Sequence, residues 1–205
     1  MQKNALIIFV KNPVLGKVKT RLAATVGDAK ALEIYKKLLN HTQKITQNLA
    51  ADVWVFYSDF IDENDLWKNE IYKKALQLPM VDLGEKMANA FWDMIQEGYE
   101  KVAIIGSDCL ELTQEILEKN YTQLSDNQQV TVGKATDGGY YLIGFDFGKM
   151  SEKQITELFE NVFLDKKWSH AGVYAEAIAA LEKLNLRYTK LPTLTDVDEE
   201  KDLKF

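Results

Sequence analysis

Three short apolar runs, separated by stretches of helical periodicity, constrain this chain more than any other feature. "ALIIFV", residues 5–10, is unbroken and rich in β-branched residues, the pattern of a strand covered on both faces in a parallel sheet. "VWVFY" at 53–57 and "KVAIIGSD" at 101–108 repeat it. Between the first two runs, Leu32, Tyr35, Leu38, Leu39, Ile45 and Leu49 recur at near-helical spacing within 28–50, which predicts a crossover helix. "GEKMANAFWDMIQEG" at 84–98 reads as a second helix. The alternation predicts an α/β fold, a three-layer α/β/α sandwich around a mostly parallel central sheet.

The rest of the chain extends this pattern. "TQEILEKNYTQL" (113–124) reads as a helix with Thr113 as N-cap. "QVTVGKA" and "YYLIGF" flank "TDGG" as a strand pair, "SHAGVYAEAIAALEKL" (169–184) reads as a helix, and "LRYTKL" (186–191) as a strand before the tail "PTLTDVDEEKDLKF". With three prolines and no Ser/Gly-rich tract or repeat, residues 1–205 are expected to form one domain. A formal net charge of −6 argues against sequence-independent nucleic-acid binding. Cys109 is the only cysteine and cannot form an internal disulfide, and no apolar run reaches membrane-spanning length, so a cytoplasmic protein is expected.

In an open α/β sheet ligands sit beyond the carboxyl ends of the strands. The first such end carries "FVKNPVLGKVKTRL", where Lys11, Lys17, Lys19 and Arg21 cluster and no acidic residue precedes Asp28. Neither a Walker A motif nor GxGxxG is present. A turn at Pro13 and Gly16 lets these cations converge on a diphosphate, with Arg21 offering a bidentate fork; the alternative is a solvated basic loop. The end of the third run, "IIGSDCLELT", presents Asp108 after Gly106, whose freedom suits a tight turn. A carboxylate there is a ligand for Mg²⁺ or Mn²⁺, or simply a turn cap.

At "KATDGGYYLIGF", Asp137, Gly138 and Gly139 beside Tyr140 and Tyr141 suit a hydroxyl-rich ligand, although Asp-Gly is also a hairpin turn signal. Asp82 is a helix N-cap, and the Leu83-Gly84 turn can pack beside a nucleoside. Asp196 and Asp198 in the tail are further metal ligands or, for Asp198, the cap of a last helix. His41 is expected on the surface, and His170 lies beside Trp168, where it can contact substrate or metal. No Ser-His-Asp or Cys-His arrangement has a supporting motif.

Together, "FVKNPVLGKVKTRL", "DLGEKMANAF", "GSDCLELT", "DGGYYLIGF", "KKWS" and "LPTLTDVDEEKDL" resemble, in order and over essentially the whole chain, a family of bacterial proteins regarded as glycosyltransferases with the nucleotide-diphospho-sugar transferase (GT-A) fold. Some members are named arsenosugar-biosynthesis glycosyltransferases. The resemblance implies a nucleotide-sugar donor bound over the carboxyl edge of the sheet, a small-molecule acceptor and a divalent cation, Mg²⁺ or Mn²⁺. It implies that Lys11, Lys17, Lys19 and Arg21 face the donor phosphates, that Asp108 binds the metal with Asp196 or Asp198, and that Leu83 and Gly84 lie near the nucleoside. Asp108 and Asp137 are then the catalytic candidates, and Gly138, Gly139, Tyr140, Trp168 and His170 line the sugar or acceptor pocket. The similar nucleotidyltransferases, which release pyrophosphate, and a non-catalytic nucleotide-binding protein are the alternative readings.

Overall fold

The computed structural model describes residues 4–79, 81–124 and 128–203, and it has the expected sandwich. Strand β1 (Asn4–Val10) lies between β2 (Asp52–Tyr57) and β4 (Lys101–Ile105), parallel to both, with Ile7 in register with Trp54 on one side and Ile104 on the other. A short strand β3 (Tyr72–Leu76) adds a parallel edge beyond β2. On the other side β6 (Tyr140–Asp146) runs antiparallel to β4 and to β5 (Val130–Ala135), and β7 (Tyr188–Leu194) closes the sheet parallel to β5. The order is β3-β2-β1-β4-β6-β5-β7.

Successive side chains of a strand point to opposite faces, so the apolar run of β1 feeds two cores. Leu6, Ile8 and Val10 pack with Leu22 of α1 (Thr20–Val26), Ile34 and Leu38 of α2 (Asp28–Thr46), and Leu117 of α4 (Gln114–Gln123). Ala5 and Ile7 pack with Phe91 of α3 (Leu83–Gln96), Leu158 of α5 (Glu152–Val162) and Leu181 of α6 (Val173–Lys183). The helix starts follow local chemistry. Asp82 accepts from the Glu85 amide at 2.9 Å while Glu85 accepts from the Asp82 amide at 3.0 Å, a capping box, and Thr113 accepts from the Ile116 amide.

The structure departs from the sequence reading at several elements. Strand β3 and helices α1 and α5 were not expected. The 169–184 helix begins only at Val173, because His170 Nδ1 accepts from the Gly172 amide at 3.1 Å and Ser169 takes a left-handed φ of 63°, which holds these residues in a turn. The 186–191 strand begins at Tyr188 and continues to Leu194. His41 is half-buried rather than on the surface, its Nε2 2.8 Å from the Leu112 carbonyl, which ties α2 to the segment before α4. Among the described residues no helix is long and apolar enough to cross a membrane.

Candidate functional site

The carboxyl ends of β1 and β4 and the segments that follow β5 and β7 meet at one edge of the sheet. After β1 the chain turns through Gly16, at a φ of 72°, and reaches Lys19, which takes a left-handed φ of 47° immediately before α1. A lysine seldom adopts that conformation. Its ammonium lies 2.9 Å from Asp108 Oδ2 and 3.0 Å from Asp198 Oδ1, and its side chain is only 8% exposed. Burial alone would lower the pKa of Lys19, but the charges of Asp108 and Asp198 outweigh it and hold the group above the ordinary lysine range. Lys19 is therefore a fixed positive charge inside a group of acids.

The other three cations behave differently. Arg21, largely exposed, approaches Asp198 Oδ2 at 3.6 Å. Lys11 and Lys17 are exposed; the Lys11 backbone is held by the Tyr35 hydroxyl, which accepts from its amide at 2.9 Å and donates to its carbonyl at 3.0 Å. Lys3 lies outside the described residues.

Asp108 follows β4 as expected, but Gly106 serves it through space. A Cβ on Gly106 would stand 2.9 Å from Asp108 Oδ1, so glycine leaves room for the carboxylate to fold back over the strand end. The segment after β7 is stitched to this end: the Val197 amide donates to the Asp108 carbonyl at 2.9 Å, and the Thr195 amide to Glu111 Oε2 at 2.8 Å. This places Asp196 deep beside Asp108. Burial, then the charges of Asp108 and Asp137, push its carboxyl up to about 8, against the opposing pull of Lys19 and the Cys109 thiol. Burial raises the Cys109 thiol as well, with Asp196 adding to it. These effects favour the neutral form of Asp196 well above the ordinary aspartate range.

Asp198 does not cap a last helix, contrary to one sequence expectation. Its carboxylate turns to Lys19, and the following 3₁₀ turn is capped from the other direction, Asp202 Oδ2 accepting from the amides of Asp198 and Glu199 at 3.1 and 2.8 Å. Asp137 lies in the turn between β5 and β6, where its Oδ1 accepts from the Gly139 amide at 2.9 Å. Gly138 has a φ of 94°, and a Cβ there would meet the Ala171 carbonyl at 2.1 Å, so this position requires glycine both by conformation and by space. Arg21, Asp137, Asp196 and Asp198, with Thr136 and Lys201, border a polar hollow of about 160 Å³.

The hollow's donor set suits a hard divalent cation. Its carboxylates outnumber its cations, and Asp196 Oδ1 is buried with no hydrogen-bond partner, an atom that a bound ion would satisfy. One of these carboxylates, Asp198, is committed to the Lys19 ammonium, and among the described residues no three His, Cys, Asp or Glu side chains converge on one point for a metal.

A second, apolar cleft of about 170 Å³ opens at the same edge on the α3 side, bordered by Phe9, Leu83, Met87, Gly106, Tyr140 and Trp168 among others. Phe9 was not among the expected site residues, although it is the penultimate residue of a strand that ends at the candidate site, and Met87, whose helical spacing reads as core, lines the cleft as well. Tyr140 lines the cleft, but its hydroxyl, expected to meet a hydroxyl-rich ligand, donates to Met87 Sδ at 3.8 Å. His170 faces its own turn, with Nε2 3.1 Å from the Lys167 carbonyl and 3.6 Å from Glu176 Oε1, and is not among the cleft residues. Leu83 is 42% exposed at the head of α3.

Gly84 is buried beneath Trp168. A Cβ at Gly84 would meet the Phe163 carbonyl at 1.9 Å and Trp168 Nε1 at 2.8 Å. Backbone cannot yield as a flexible side-chain end can, so Gly84→Ala is expected to cost about 1–3 kcal/mol, read as a lower urea midpoint at unchanged slope.

Comparison with known proteins agrees with the fold. A candidate nucleotide-diphospho-sugar transferase from Desulfovibrio desulfuricans G20 superposes with a TM-score of 0.83 at 31% identity, over 97% of this chain and 84% of that one. A CMP:2-keto-3-deoxy-manno-octonic acid synthetase solved with CTP gives 0.59 at 11% identity, over 97% and 94% of the two chains. The 4-diphosphocytidyl-2C-methyl-D-erythritol synthase of Anaerococcus prevotii DSM 20548 gives 0.58 at 10%, over 98% and 92%; these two likenesses concern the fold alone. No curated protein matches the sequence. Residues 41–170 match the family described as "Uncharacterized protein conserved in bacteria (DUF2064)", and the chain belongs to that family, on the nucleotide-diphospho-sugar transferase fold.

Proposed function

We propose that the protein is a metal-dependent glycosyltransferase that moves a sugar from a nucleotide-diphospho-sugar to a small-molecule acceptor. The observation that carries this reading is the buried Lys19 ammonium between Asp108 and Asp198, with Asp196 and Asp137 beside it, at the carboxyl edge of the sheet. The Desulfovibrio protein, 31% identical over nearly the whole chain, supports the reading.

The acceptor's hydroxyl oxygen bonds to the anomeric carbon while the bond from that carbon to the diphosphate breaks. The nucleoside diphosphate leaves with the electron pair, and the hydroxyl proton passes to a carboxylate, which we assign to exposed Asp137. Lys19 and Arg21 bring positive charge to the departing diphosphate, where fixed charge in a partly dry site stabilises the transition state. Asp108, with Asp196 or Asp198, would hold a divalent cation, which when bound would supply further positive charge to the leaving group. Asp108 thus serves both the ion and the orientation of Lys19.

The test is a thermal-shift series with UDP-, GDP-, ADP- and dTDP-sugars and with nucleoside triphosphates, each with and without Mn²⁺, followed by product analysis. A ligand that binds only the folded state raises the melting temperature. We expect metal-dependent stabilisation by one diphospho-sugar, lost in Asp108→Ala. Pyrophosphate release from a triphosphate would assign nucleotidyl transfer instead, and tight binding without turnover would assign a non-catalytic role.

A further inference from the structure

The apolar cleft differs in chemistry from the polar hollow beside it. Both tyrosine hydroxyls of its lining have partners within the protein, Tyr140 the Met87 Sδ of the same lining at 3.8 Å and Tyr141 the Pro192 carbonyl at 2.9 Å. The one remaining side-chain donor of the lining is Trp168 Nε1, which is buried without a partner. A sugar seated here would exchange many hydrogen bonds to water for almost none, and each polar group so stranded is costly. An apolar body avoids that loss.

Size and surroundings narrow the occupant. An apolar protein cavity of roughly 150 Å³ accepts a benzene ring, and this cleft measures about 170 Å³. Seven of the nine large apolar side chains that stand exposed on the described residues belong to this same edge of the sheet. Val14 and Leu15 follow β1, Phe60 and Ile61 follow β2, Leu76 ends β3 and Leu78 follows it, and Leu83 heads α3 and lines the cleft itself. The first two loops are tied together by Asn12, whose Nδ2 donates to the Phe60 carbonyl at 2.9 Å and whose Oδ1 accepts from the Asp59 amide at 3.1 Å. Exposed apolar surface concentrated on one edge marks a binding surface.

We propose that the cleft is the acceptor subsite and that the acceptor is an alcohol or phenol carried on an apolar, ring-sized body, its hydroxyl presented toward the Asp108 end of β4. Gly106 lines the cleft and Asp108 lies two residues on, so the reacting oxygen stands at the border between the apolar and the polar site. This inference rests on the transferase reading for the word acceptor; the chemistry of the cleft stands without it.

The experiment uses 4-methylphenol and methyl glucoside as probes in saturation-transfer NMR on the full chain, without nucleotide and then with excess UDP, GDP or CDP and Mg²⁺. The phenol is expected to receive saturation and the glucoside not, and nucleoside diphosphate is expected to leave phenol binding intact. Leu83→Asp places a charge on the cleft wall at a helix N-terminus that tolerates it, and it should weaken the phenol at least about fivefold. Displacement of the phenol by a nucleoside diphosphate would give the cleft to the base and overturn the proposal. So would binding of the glucoside, absence of phenol binding, or equal phenol affinity in Leu83→Asp. Failure of every nucleotide-sugar to bind would refute the transferase reading while phenol binding still reported on the cleft.

Discussion

Asp108→Asn is expected, on the proposed glycosyltransferase reading, to lower turnover by about 10²–10³-fold, the loss typical when one preorganised electrostatic contact to a transition state is removed. The substitution keeps the shape of the side chain and removes its charge. Lys19 loses one of two partners, at 2.9 Å, and keeps Asp198 at 3.0 Å. Because the Asp108 and Asp198 side chains are 35% and 38% exposed, water compensates part of that loss, and stability should fall by only about 1 kcal/mol. A large loss of turnover with a nearly unchanged melting temperature therefore identifies a catalytic role. Steady-state rates with the donor found in the thermal-shift series, alongside denaturant melts, provide both readouts. Unchanged turnover in Asp108→Asn would refute the mechanism.

The contribution of Asp196 to the stability of the chelator-treated protein should fall as pH rises from about 4 toward 8. Its folded-state carboxyl is raised to about 8 by burial and by Asp108 and Asp137, whereas in the unfolded chain it ionises in the ordinary aspartate range, near 4. Between those values the folded state holds a proton that the unfolded state has released, so this contribution declines across that window. Asp196→Asn removes the titrating group and that contribution with it, so the variant should gain stability relative to the parent as pH rises from about 4 to about 8, by more than about 1.4 kcal/mol, the value of one pKa unit. Urea melts at half-unit pH intervals measure this. Parallel profiles for parent and Asp196→Asn would show that Asp196 does not titrate in this range.

Elements whose burial is two-sided or whose ends carry local chemistry were legible in the sequence. The apolar runs of β1, β2 and β4 could pack only with both faces covered, and Asp82 and Thr113 announced their helices through side chains that satisfy the first free amides. Strand β3 was hidden because "YKKAL" shows two lysines in a row. Lys73 reaches Asp52 and Tyr99 at 3.2 and 2.8 Å, and Lys74 reaches Asp65 at 3.1 Å, so partners distant in sequence make a charged segment acceptable at a sheet edge. Helix α5 did leave a signal, the capping box of Ser151 and Gln154 with Ile155, Leu158, Phe159 and Val162 at helical spacing.

The candidate site divides along the same line. Asp108 behind a buried strand was readable because a strand ending in Gly-Ser-Asp delivers a carboxylate to the sheet edge whatever follows. Lys11, Lys17, Lys19 and Arg21, by contrast, read as one basic group, since charges adjacent in a chain look alike until their solvation is known. Tertiary structure separated them: Lys19 turns inward to Asp108, 89 residues away, and to Asp198, 179 residues away, while Lys11 and Lys17 remain in water. The sequence by itself determined the layers of the sandwich and the edge on which the polar residues gather, because periodicity of burial is a local property. Which cation is buried, which aspartate has its carboxyl pKa raised, and where an apolar cleft opens beside them were decided only by the folded chain, because desolvation and Coulomb interaction depend on distances that strand order and loop closure create.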